Sequence, residues 1–121
     1  MNTEEAIREL ARRVQHLEDK MEMVRELIEP EKFPFMYLAL ESGLTMTQVD
    51  QILKLMQEVS DAIIQNNNPM SHGEFEKRIY KIVPTHKNDY HFAQDVVSSL
   101  NRNGQFVDVY HHMKNSGMNL I

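Results

Sequence analysis

The 121-residue sequence contains no cysteine and no tryptophan, and it has only four glycines and four prolines. Without cysteine the chain can form neither a disulfide framework nor a thiolate metal site or nucleophile. Its longest apolar run, from Phe33 to Leu40, is far shorter than the ~20 residues that span a bilayer. The acidic N-terminus also lacks the basic and apolar segments of a signal peptide. We therefore expect a cytoplasmic protein with no membrane contact.

Charge and length set further limits. Acidic side chains outnumber basic ones by 18 to 13, which gives a formal charge of −5. A negative field repels phosphate groups over about a Debye length, ~8 Å in physiological salt, so nucleic acid is an unexpected partner. A chain of 121 residues holds one hydrophobic core but is too short for two. We expect a single domain over residues 1–114 and a flexible tail over residues 115–121.

The N-terminal segment carries apolar residues at alternating spacings of three and four, which is the pattern of a coiled-coil or bundle helix. These positions are Ile7, Leu10, Val14, Leu17, Met21, Val24 and Ile28. We predict a helix over residues 4–28, capped by Thr3, that pairs with another copy or completes an intramolecular bundle. In a parallel pair Arg13 would meet Glu18 but Lys20 would face Arg25, so the flanking charges leave the orientation open.

Further helices are predicted over residues 34–114. Gly43 can adopt the left-handed conformation that ends a helix, and Thr45 begins the next one with a capping-box partner at Gln48. Ser71 begins a similar start signal, and Asp89 is the predicted cap of the following helix. Gly104 ends the fifth apolar stripe, and the last helix follows it. No alternating strand pattern occurs, so the sequence predicts an all-α, multihelical bundle of about six helices with an N-terminal coiled-coil-like helix.

The stretch LALESGLTMTQVDQIL has the spacing of a DNA-binding helix-turn-helix motif. Ala39, Gly43, Val49 and Ile52 occupy the expected positions, but any short helical hairpin requires the same residues. The outer face of the second helix offers Thr45, Thr47, Gln51 and Lys54 as residues that could contact DNA. Between Pro30 and Ser71, however, five acidic side chains oppose two lysines. DNA binding is therefore the alternative, and a structural hairpin is the favoured interpretation.

Six histidines are the strongest candidates for metal or catalytic chemistry. Adjacent residues on a helix point about 100° apart, so His111 and His112 cannot chelate one ion together. A site assembled in space from His86, His91, His111 and a carboxylate stays open. Serines in mid-helix lack the sharp turn and glycine-rich loop of a nucleophile site. We predict no catalytic, cofactor-binding or metal-binding residues, and no enzyme.

Two stretches resemble a known family. EKFPFMYLALESGLTMTQVDQILKLMQEVSDAI, and more weakly SLNRNGQFVDVYHHMK, are similar to sequences of the YhaI-like family of small helical Bacillus proteins. The resemblance covers about residues 7–114. It implies an all-helical, self-associating fold. It implies no activity, because that family is a domain of unknown function without assigned site residues.

Three hypotheses follow. The favoured one is a non-catalytic interaction or regulatory protein that acts as a homo-oligomer, with a dimer favoured, through the seven apolar positions of the N-terminal helix. The second is a transcription regulator that binds DNA through residues 39–54. The third is an enzyme or metal protein centred on the histidines. An unidentified protein partner is also left open.

Overall fold

The computed structural model describes residues 2–121, and within them the chain forms six α-helices and a 3₁₀ turn at Pro84–His86. The helices are α1 (Thr3–Leu27), α2 (Pro34–Glu41), α3 (Met46–Ile64), α4 (His72–Ile82), α5 (Phe92–Arg102) and α6 (Val107–Ser116). No strand occurs in this part of the chain. The predicted all-α fold of about six helices is confirmed.

Side chains at the helix starts explain several of these boundaries. At α3 the Thr45 hydroxyl accepts from the Gln48 amide at 3.1 Å, and the Gln48 side chain accepts from the Thr45 amide at 2.9 Å. This completes the predicted capping box. At α4 the Ser71 hydroxyl accepts from the Glu74 amide at 3.3 Å. At α1 the cap is Asn2 instead of the predicted Thr3, because the Asn2 side-chain oxygen accepts from the Glu5 amide at 2.8 Å.

The start of α5 differs from the prediction. Asp89 was expected to cap this helix, but α5 begins at Phe92 and has no side-chain cap. Asp89 instead accepts a hydrogen bond from the His91 amide at 3.0 Å, which closes a turn before the helix. The Tyr80 hydroxyl donates to the Asp89 carbonyl and fixes this turn against α4. The cap prediction was wrong because a tertiary contact holds the preceding residues outside the helix.

The hydrophobic core lies among α2 to α6. Helix α3 packs on α4 and α6, and α5 packs on α2 and α6. The largest fully buried side chains include Phe75 from α4, Phe92 from α5 and Ile52 from α3. The buried Ser60 hydroxyl donates to Asp108 at 2.7 Å and so ties α3 to α6. Helix α1 contributes no buried residue to this core and contacts α2.

The C-terminal segment packs more closely than its sequence indicates. Helix α6 continues to Ser116, two residues beyond the predicted end of the domain at 114, and Gly117 follows with a positive φ of 118°. Met118 and Leu120 are buried against the core. The flexibility expected for residues 115–121 stays a prediction, and in the structure two of these side chains lie in the core.

Candidate functional site

The apolar positions of α1, together with Ile28 directly after its last residue, form a stripe that we call the α1 seam. Its members are Ile7, Leu10, Val14, Leu17, Met21, Val24 and Ile28. The first six are between 47% and 60% exposed, whereas Ile28 is partly buried. At 1.5 Å per residue the seam extends over about 31 Å. An apolar stripe of this length and regularity is typical of a surface that another helix covers.

The C-terminal half of α1 is attached to the rest of the chain through α2. Arg25 lies 3.5 Å from the Glu41 carboxylate of α2. Met21 and Leu40 line a cavity of about 230 Å³ between the two helices. These contacts leave Met21 and Val24 about half exposed. Helix α2 therefore positions the seam without covering it.

The polar faces of α1 are paired within the helix. Glu9 accepts hydrogen bonds from Arg12 at 2.7 Å and from Arg13 at 3.2 Å, and these bonds lower the pKa of Glu9 to about 2. Gln15 donates to Asp19 at 3.0 Å. Pairs at these spacings support a helix modestly, because solvent screens them. The polar side chains thus support the helix, while the apolar seam has no comparable partner in residues 2–121.

The four DNA-contact candidates, Thr45, Thr47, Gln51 and Lys54, are all exposed on α3. Gly43 adopts a positive φ of 68° in the turn before them, so a helical hairpin is present. However, α2 packs mainly on α5, and α3 packs mainly on α6 and α4. A helix-turn-helix reader is built as a unit in which the first helix supports the second. In this hairpin each helix instead packs mainly on other helices of the bundle.

Positive charge near α3 is limited. Lys54 and Lys81 line a shallow groove between α3 and α4, together with Arg78. Glu58 lies in the same groove and pairs with Arg78 at 2.9 Å. One of the three cations is thereby neutralised. The remaining cations of the groove are Lys54 and Lys81.

The histidines mainly connect parts of the fold. His86 stacks on Phe92 with ring centroids 4.6 Å apart, and its Nε2 lies 3.0 Å from the Ser42 carbonyl. His112 Nε2 lies 2.8 Å from the Met70 carbonyl. Throughout residues 2–121, no group of three histidine or carboxylate side chains is placed to hold a metal ion. The structure therefore does not bring His86, His91 and His111 together as a metal site.

Sequence reasoning missed the surroundings of the α1 seam. Leu27, Phe33 and Met36 lie at or just after the end of α1, and they are 81%, 56% and 47% exposed. They stand outside the three-four spacing of the seam, so periodicity alone does not select them. The Arg25–Glu41 contact is also absent from any local pattern, because it joins two helices. All three exposed apolar residues lie close to the end of the seam in the chain.

The fold defines the class of protein: an all-α helical bundle whose long N-terminal helix carries an exposed apolar stripe. Residues 8–116 match the family described as "Protein of unknown function (DUF1878)", and the chain belongs to that family. The match includes every seam position except Ile7. No curated protein and no solved structure matches the chain. Among the described helices, none combines the length and apolarity needed to cross a membrane.

Proposed function

We propose that this protein is a non-catalytic interaction or regulatory module that works as a homo-oligomer, with a dimer favoured, and that the α1 seam is its self-association surface. The observation that carries the proposal is the exposure of six regularly spaced apolar side chains on one helix. An apolar stripe with a 3.5-residue period fits best against a helix of the same period. A second copy of α1 supplies that helix without any further component.

Burial of the seam also offsets the free-energy cost of association. Complete burial of a side chain of this size contributes ~1.5–3 kcal/mol. Since the seam side chains are about half exposed, covering each of them contributes roughly 1 kcal/mol per chain. A pair of seams therefore supplies a total that is comparable with the cost of association, ~4–15 kcal/mol. Replacing both Leu10 and Leu17 by charged residues should therefore abolish pairing.

The test is the molar mass of purified protein at tens of micromolar, measured by sedimentation. Wild type is expected to be oligomeric, and Leu10→Asp combined with Leu17→Asp is expected to be monomeric because four charges would enter a dimer interface. A matched control, His16→Asp with Met23→Asp, adds the same two aspartates to the outer face of α1 and should stay oligomeric. A monomeric wild type would overturn the proposal.

A second candidate function is DNA binding through α3. It is supported by the exposure of Thr45, Thr47, Gln51 and Lys54 on one helix and by Lys81 in the adjacent groove. Salt-sensitive binding of duplex DNA that disappears in Gln51→Ala with Lys54→Ala would support this function. Binding that is unchanged in that variant would exclude α3 as the reader.

We further propose a family placement, a cellular location and a protein partner for this chain. The residues from Glu31 to Ile63 support placement within the YhaI-like group of small helical proteins. The lack of cysteine supports a cytoplasmic location. A regulatory role would require an unidentified protein partner. Recovery of such a partner from nuclease-treated lysate with wild type, but not with a variant of its docking surface, would test that part.

A further inference from the structure

We infer that the α1 seam pairs with α1 of a second copy in a parallel, in-register, two-stranded coil. The inference rests on the proposed self-association and adds the direction and register of the pair. Four features carry it: the residue types in the seam, the charge at Arg13, the internal pairing of Arg25, and the apolar surface at the C-terminal end of α1.

The residue types of the seam favour two strands over three or four within a parallel coil. In heptad notation, Ile7 and Val14 occupy a positions, whereas Leu10 and Leu17 occupy d positions. In parallel coils, β-branched residues at a combined with leucine at d favour a two-stranded assembly. The N-terminal half of the seam follows this rule at all four positions.

The residue that lies opposite Arg13 differs between a parallel and an antiparallel pair. In a parallel pair Arg13 lies across the interface from Glu18 of the second copy, and the contact occurs twice by symmetry. In an antiparallel pair that fills the seam, Leu10 lies opposite Met21 of the second copy. That register places Arg13 opposite Lys20 of the second copy. Arg13 already pairs with Glu9 of its own helix at 3.2 Å. Across the interface, the parallel arrangement places it opposite a carboxylate and the antiparallel one opposite a lysine.

The parallel arrangement also brings Lys20 near Arg25 of the second copy. From the sequence alone, the repulsion between these two cations disfavours a parallel pair. In the structure Arg25 is already engaged by two carboxylates of its own chain, Glu22 within α1 and Glu41 on α2. These carboxylates offset the charge that Lys20 would meet. The repulsion expected from the sequence is therefore reduced by a contact that only the fold creates.

The end of α1 supplies the fourth argument. Leu27, Phe33 and Met36 are exposed at or just after the C-terminal end of the helix. A parallel pair brings the two copies of this apolar surface to the same end, where they can cover each other. An antiparallel pair would place it near the first turn of the second copy, which carries Glu4 and Glu5. Covering apolar surface with another apolar surface lowers the free energy more than covering it with this charged turn, because the carboxylates would lose water.

Because the chain has no cysteine, one introduced cysteine reports on the pair without interference. In a parallel, in-register pair, Leu10→Cys places the two sulfurs at one d layer, within reach of a disulfide. In the antiparallel register the two copies of position 10 lie about 16 Å apart along the axis. The control is Asp19→Cys, on the outer face of α1. We expect oxidation to link Leu10→Cys about ten-fold more completely than Asp19→Cys, since a disulfide requires close and correctly directed Cβ atoms.

A second variant keeps the test valid if Leu10→Cys weakens the pair. A spin label on Glu5→Cys lies outside the seam near the N-terminal end of α1. The parallel pair brings the two labels to the same end, whereas the antiparallel register separates them by roughly 30 Å along the axis. A distance clearly shorter than this antiparallel separation allows would support the parallel pair. A dimer with a long distance and no disulfide would overturn the direction but leave self-association standing. A monomer would overturn both.

Discussion

Helices α1 and α3 are the two longest helices in residues 2–121, and both carry an apolar stripe along one face. The stripe of α3 is covered by α4 and α6, and Ile52, Met56 and Val59 are at most 1% exposed. The stripe of α1 is about half exposed along most of its length. Apolar periodicity thus identifies the helix and its apolar face in both cases, but it does not say whether the rest of the chain covers that face.

The comparison predicts that core and seam substitutions fail in different ways. Phe75→Ala removes a fully buried ring and should lower the free energy of unfolding by ~3–5 kcal/mol. Leu17→Ala removes a side chain that is 59% exposed in the single chain, and it should mainly promote dissociation. Denaturant unfolding and sedimentation of both variants check this. Equal losses of unfolding free energy in dilute protein would contradict the separation of core and seam.

Substitutions at the N-caps of α3 and α1 should also differ in their effect on stability. Thr45 and Asn2 each accept a hydrogen bond from the amide three residues ahead. Thr45→Ala should lower the free energy of unfolding by ~1 kcal/mol, because α3 belongs to the core. Asn2→Ala should instead fray the first turn of α1 and leave core unfolding unchanged. Hydrogen exchange of the Glu5 and Gln48 amides, read beside denaturant unfolding, measures both effects.

A smaller effect is expected at Glu18. Glu18→Lys would place a lysine opposite Arg13 of the second copy in a parallel pair, and it should weaken association modestly, by ~0.2–1 kcal/mol per contact. Within the helix the same change creates a favourable spacing to Glu22. Weaker association with unchanged or higher helix content would support the parallel pair. In the antiparallel register Glu18 faces Ala11, so unchanged association would count against the parallel direction.

The smallest expected effect is the pH dependence of α1. The pKa of Glu9 falls from its ordinary value of 4.5 to about 2 in the folded chain because Arg12 and Arg13 bind its carboxylate. A depressed pKa contributes stability above the ordinary value and loses it as pH falls towards the folded value. The difference in α1 protection between wild type and Glu9→Gln should therefore shrink between pH 4.5 and about pH 2. A constant difference down to pH 2 would contradict this role of Glu9.

Much of the fold follows from local patterns in the sequence. The Thr45–Gln48 capping box and the turn at Gly43 depend on neighbouring residues, so their signals are complete in the sequence. The burial of Met118 and Leu120 was missed because a short segment after Gly117 has no periodicity to read. The prediction that Asp89 caps α5 was wrong because the hydrogen bond from the Tyr80 hydroxyl to the Asp89 carbonyl is a tertiary contact, which local sequence does not reveal.

The candidate site was predictable in part. The seam residues were found from their spacing, and the structure adds that they lie outside the core. Local patterns could not reveal the Arg25–Glu41 contact, which depends on how α1 meets α2. They also could not show that α2 and α3 pack mainly on different helices.

The most direct test of the central claim is the molar mass of the unmodified protein in solution, measured by sedimentation equilibrium at concentrations up to tens of micromolar. The chain mass is 14.2 kDa. The account predicts a mass approaching twice that value, with dissociation on dilution. A mass that stays at 14.2 kDa at every concentration would show that the α1 seam does not pair with itself.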